Sequence, residues 1–179
     1  MKRVLKILAF LIFIGSLTSF VRFGGNEKPV PVVRAALIGW IQRDSAFSLS
    51  AKVWLINNSP DTIYYQSMTC SWQDVYKTNT DSLVVGINIC TKNTLGQRKI
   101  APQSSSIDDI TLSKDGAQLP NITAKEKQNL TGLTFNIGFH FVRSSKGYIF
   151  HDSGFDGKDT TIWSNPIKIT EELPVTSFR

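Results

Sequence analysis

Residues 133–142, LTFNIGFHFV, alternate without a break: Leu133, Phe135, Ile137, Phe139 and Phe141 fall on one side of an extended chain, and Thr134, Asn136, Gly138 and His140 on the other. A period of two suits a strand with one buried face and cannot form the apolar stripe of a helix. The run SAFSLSAKVWL (45–55) repeats the pattern, with Phe47, Leu49, Ala51, Val53 and Leu55 opposite Ser48, Ser50 and Lys52. The same reading predicts strands at 33–41, 62–71, 83–90, 107–113, 147–151 and 161–169. Turn-forming clusters stand between them: NNSPD (57–61), KTNTD (77–81), SKDG (113–116) and DSGFDGKD (152–159). About eight short strands with hardly any helical periodicity predict an all-β fold, an antiparallel two-sheet β-sandwich. One short helix is expected within ITAKEKQNLTG (122–132), where Thr123 and Glu126 have the spacing of a capping box.

The 179 residues suffice for one domain with a sizeable core. MKRVLKILAFLIFIGSLTSF opens on Lys2, Arg3 and Lys6, continues through an apolar run from Ile7 to Ile14, and ends in small or hydroxylated residues. That layout predicts a secretory signal over 1–22, cleaved near Thr18 or Ser19, with an uncleaved anchor as the alternative. The apolar run falls short of the roughly 20 residues that span a bilayer. A linker follows at 23–31, the sandwich is expected over 32–172, and 173–179 read as a frayed tail. Of the 20 basic residues, four precede Phe23, so the remainder holds 16 basic against 14 acidic residues. A net charge of +2 with scattered Lys and Arg gives no footprint for nucleic acid.

Candidate chemistry starts from the two cysteines, Cys70 and Cys90. Zinc would need further ligands, and His140 and His151 stand at no zinc spacing; a redox motif would need C-x-x-C. An exported chain meets an oxidising compartment, where two cysteines form one disulfide closing a loop of about 20 residues, worth roughly 3 kcal/mol. Asp152, Asp156 and Asp159 are candidate calcium ligands, although any exposed hairpin loop uses the same residues. Asp108 and Asp109 must face opposite sides of a strand, and Asp109, beside Ile107 and Thr111, is expected to be partly buried. An inward charge there is more commonly a device that protects a sheet edge. His140 reads as a surface residue. Trp54, Trp72 and Tyr76 are the candidate ligand-binding aromatics, Trp54 because it shares a face with Ser50 and Lys52. The stretch QDVYKTNTDS (73–82) reads as a free loop. No G-x-S-x-G, H-E-x-x-H or P-loop occurs, and no cofactor is expected. Three sequons start at Asn57, Asn121 and Asn129.

N-N-S-x-D-T at 57–62, M-T-C-S-W at 68–72, N-x-C-x-K-N at 88–93 and I-W-S-N-P-I at 162–167 together resemble small exported proteins of Bacteroidota-type bacteria, a group without an assigned activity. The resemblance implies an Ig-like β-sandwich, a periplasmic or cell-surface location and a Cys70–Cys90 staple. The expected function is that of a non-enzymatic envelope accessory or binding module, with a protein or glycan of the envelope as partner. Membrane contact is expected only through an uncleaved N-terminal segment. The alternatives are a protease-inhibitor or adhesin-like protein acting through loop 73–82 or 152–159, and a small hydrolase using carboxylates.

Overall fold

The computed structural model describes residues 30–144, 147–149 and 159–177. The expected signal 1–22, most of the linker, His151, Asp152 and Asp156 therefore lie outside the described residues. Among the described residues no helix is long and apolar enough to cross a membrane.

The fold is an all-β, sandwich-like arrangement. Strands β1 (Val32–Arg43) and β2 (Ala46–Asn57) form a long hairpin around Asp44-Ser45, with Asp44 in the positive-φ conformation that Asp tolerates. The first sheet continues through β7 (Ser104–Ser113) to the short β5 (Val84–Val85), and on its other edge β13 (Val175–Ser177) pairs in parallel with β1. The second sheet runs β11 (Asp159–Trp163), β9 (Ile137–Ser144), β10 (Gly147–Ile149), β3 (Ile63–Met68), β6 (Leu95–Ile100). Strand β4 (Tyr76–Thr78) shares with β10 the side of β9 away from β11. A third pair joins β8 (Thr134–Phe135) to β12 (Ile167–Lys168). Pairing is antiparallel except at β1/β13 and β3/β10.

The core is what the alternation dictates. Phe47, Leu49, Ala51, Val53 and Leu55 of β2 are all buried, and they pack with Ile110 and Leu112 of β7 and with Tyr65, Ile137 and Phe139 of the facing sheet. In β1 the period breaks once. A bulge between Leu37 and Gly39 extrudes Ile38 and turns Trp40 inward, edge-on to Phe47. Gly39 has φ +156°, and a Cβ there would lie 2.6 Å from the Pro174 oxygen. Only glycine allows both that conformation and the close approach through which the Trp40 N–H donates to Pro174 O. Asn57, wholly buried, joins the sheets: its Nδ2 donates to the carbonyls of Asp61, Ile100 and Ala101, and its Oδ1 accepts from Ser59.

Several elements depart from the sequence-based expectation. Within the expected tail 173–179, residues 175–177 form β13. The expected strand 83–90 is reduced to β5, since the chain leaves the first sheet after Gly86 and crosses to the second. Strand 62–71 stops at Met68, so Cys70 lies outside it. The run 161–169 is interrupted at Ser164-Asn165-Pro166, where proline has no N–H for a ladder and the Asn165 side chain turns instead to the β1 backbone. The unexpected β6, LGQRKI, has Arg98 on its inward face and so shows no apolar alternation. The helix α1 (Ala124–Leu130) is present with both capping-box hydrogen bonds between Thr123 and Glu126.

Candidate functional site

Two places collect the candidate aromatics. The first is the outer face of the first sheet. Residues with odd numbers on β2 point into the core, so Lys52, Trp54 and Ile56 point outward. The register sets Arg34, Trp54 and Ile107 in one row across β1, β2 and β7, and Val32, Ile56 and Ser105 in the next. Val32 is 43% and Ile107 54% exposed, so the row carries a contiguous apolar patch around a half-buried Trp54. One edge of the patch is the ion pair Lys52–Asp109 (3.5 Å). On the other side Arg34, Ala35, Trp54, Ile56 and Asn165 line a shallow hollow of about 640 Å³. Asn165 is held there by two hydrogen bonds of 3.1 Å to the N–H and carbonyl of Ala35. The Arg34 side chain makes no hydrogen bond or ion pair with another described residue, and Arg34 is exposed.

The second place is a polar network between the sheets. Asp108, on the inward face of β7 and 6% exposed, accepts from Arg98 Nη2 at 2.9 Å and Nη1 at 3.3 Å, and from the Tyr76 hydroxyl at 2.7 Å. Arg98 comes from β6 and Tyr76 from β4, so three segments of both sheets meet on one carboxylate. The guanidinium lies over the rings of Tyr65 (5.6 Å) and Trp72 (5.5 Å), and Trp72 packs edge-on against Tyr76. Burial and then the Asp108 charge push the Tyr76 hydroxyl well above the ordinary tyrosine range. Tyr65 is likewise raised, first by burial, against the pull of Arg98. Its hydroxyl is buried; Ser106 approaches it, but no hydrogen bond of ordinary geometry forms. Both phenols therefore stay protonated at neutral pH, Tyr76 as a donor. Both Asp108 oxygens are occupied. Beyond Arg98 and Trp72 lies a depression of about 230 Å³ bordered by Ser67, Thr69 and Gln97.

Trp72 and Tyr76 thus meet in this network, while Trp54 stands apart on the outer face as its alternation predicts. The acidic pair is reversed relative to expectation. Asp109 is exposed with its side chain 69% accessible, and Asp108 is the buried partner, because the inward face of β7 runs through Ile110 and Leu112 rather than Ile107. His140 is half-buried, with Nδ1 3.4 Å from Thr161 Oγ1. Stretch 73–82 is not a free loop: it continues the 3₁₀ turn Trp72–Val75 into β4, and buries Gln73, Val75 and Tyr76. Of the calcium candidates, Asp159 opens β11 opposite Val142, and the other two are outside the described residues. Among the described residues, no three His, Cys, Asp or Glu side chains converge as a metal site. Cys70 and Cys90 are bonded, with S–S 2.05 Å and Cα atoms 6.4 Å apart. Neither is in a strand: Cys70 follows β3, and Cys90 lies in the crossover between sheets. Asn57, being wholly buried, cannot carry a glycan in the folded chain.

No protein-family model, curated protein sequence or solved structure matches this chain.

Proposed function

We propose that the chain is an exported, non-enzymatic binding module of the cell envelope, with an Ig-like sandwich, that recognises a protein partner through the outer face of its first sheet. The observation that carries this reading is the row Arg34, Trp54, Ile107, with Val32 and Ile56 beside it. An apolar centre containing Trp, with Arg and an ion pair at its margin, has the composition of a protein-recognition surface, whose energy concentrates in a few such side chains. A sugar-binding platform would place more hydrogen-bonding groups around the ring. The Cys70–Cys90 bond accords with an oxidising compartment, the periplasm or the cell surface. The non-enzymatic reading is supported by the engaged state of Asp108 and by Asp109 pairing with Lys52 rather than with a second acid.

Envelope proteins and envelope polysaccharide, each immobilised separately, test the reading with wild type, Trp54→Ala and Ile107→Asp. Loss of protein binding by at least about tenfold in both variants, with unchanged melting, is the expected result. Retention of polysaccharide alone by a Trp54-dependent contact would replace the partner class, and catalytic breakdown of the polysaccharide would overturn the non-enzymatic reading.

A further inference from the structure

Loop 86–94, GINICTKNT, joins β5 of the first sheet to β6 of the second, and it is held at both ends but not in its middle. On the entry side Gly86 N–H donates to Thr111 O (2.7 Å) and Ile87 N–H to Gly116 O (3.0 Å). On the exit side Asn93 Oδ1 accepts from the Cys70 N–H, Asn93 Nδ2 donates to Ser71 Oγ at 2.6 Å, and the backbones of Thr94 and Thr69 pair at 2.8 Å. The disulfide fixes Cys90 itself. Between these ties, the main-chain N–H and carbonyl groups of Asn88, Ile89 and Cys90 bond to no other described residue. Ile89 at the summit is 100% exposed, between neighbours that the ties and the disulfide hold in place.

An anchored loop offering free main-chain groups and one wholly exposed apolar side chain is the shape that a peptidase cleft accepts. Such a cleft pairs with extended backbone as an added strand and selects one side chain by a pocket. The ordering entropy of the loop is already met by its ties, which favours tight binding. We infer that loop 86–94 docks in the manner of a substrate into a serine endopeptidase whose specificity pocket takes a branched aliphatic side chain, with Ile89 in that pocket, and that it inhibits the enzyme. If the serine Oγ attacks the Ile89 carbonyl carbon, the bond to the Cys90 nitrogen breaks and that nitrogen takes the serine's proton. The disulfide keeps the new amine beside the acyl group, so it re-forms the peptide bond faster than water removes the acyl group. This surface is distinct from the Trp54 face, so the two readings stand or fall separately.

The test uses the full exported protein against an elastase-type and a trypsin-type serine endopeptidase, each acting on a small chromogenic peptide. Wild type should inhibit the elastase-type enzyme, and Ile89→Arg should lose that inhibition and gain inhibition of the trypsin-type enzyme, each change being about a hundredfold or more. Both proteins should melt alike because Ile89 touches nothing, and Trp54→Ala should inhibit as wild type does. Reduction of the disulfide should turn the loop into an ordinary substrate. The inference is overturned if wild type leaves the elastase-type enzyme unaffected at about 10⁻⁵ M, a concentration far above the dissociation constants of protease–inhibitor pairs. It is also overturned if Ile89→Arg leaves the specificity unchanged, or if the oxidised loop is simply cut and turned over.

Discussion

Asp108 and Asp109 are neighbours of identical chemistry with opposite fates. One carboxylate is buried because Arg98 and Tyr76 reach it from the facing sheet; the other remains in water beside Lys52. Arg98 and Asp108 are both inward-pointing charges on strands at one margin of the sandwich, the arrangement that discourages edge-to-edge association. A buried ion pair adds little over an apolar replacement, but breaking one leaves an unpaired charge. Asp108→Asn should therefore lower the unfolding free energy by about 3 kcal/mol, at the low end of the range for such losses because the Arg98 side chain remains one-third exposed. Urea melts measure this, and the double variant Asp108→Leu with Arg98→Met should recover much of the loss. A single variant as stable as wild type would show that the network does not hold the sheets together. The site was half legible in the sequence: the acidic pair, Trp72 and Tyr76 stand out, whereas Arg98 sits in a polar stretch with no signal to mark it as an inward residue.

At the scale of elements, local chemistry acts where a segment can satisfy its own backbone. Helix α1 is written in Thr123 and Glu126, and the structure adds Lys114, whose ammonium donates to Glu126 Oε1 at 2.6 Å. That hydrogen bond, with those from the Thr123 N–H and hydroxyl, lowers the Glu126 carboxyl from the ordinary 4.5 to about 2. A carboxyl whose folded pKa is depressed contributes stability above its unfolded pKa and loses it as pH falls through the folded one. Wild type should therefore lose more of its melting temperature than Glu126→Gln between about pH 4.5 and pH 2, with the difference shrinking in high salt because the pair is exposed. Parallel acid-limb melts of the two proteins would refute this. Edges follow another rule. Asn165 occupies the β1 backbone at Ala35 with its side chain, β13 covers β1 from Trp40 to Gln42, and Gly39 supplies the bulge between them. Gly138, on the interior strand β9, instead makes room for its neighbours: a Cβ there would lie 2.5 Å from Thr161 Cγ2 and 2.8 Å from the Trp163 ring.

The whole molecule depends on crossings between the sheets, and the Cys70–Cys90 bond is the covalent one. It ties the β5–β6 crossover to the end of β3 over a separation of 20 residues, for which chain entropy suggests roughly 3 kcal/mol. The denatured protein should expose no free thiol, and Cys70→Ser or Cys90→Ser should lower the urea midpoint accordingly; a variant of full stability would remove the bond from any structural role. By itself the sequence determined the class of fold, the core face of β2 and β9, the capped helix and the outward position of Trp54, because each follows from a period or a spacing within one segment. Tertiary structure alone decided which aspartate is buried, that polar LGQRKI and the tail residues 175–177 are strands, and that GINIC is not. These outcomes depend on which partner strand is present and on what the facing sheet offers, and neither is encoded in the local pattern of the residues concerned.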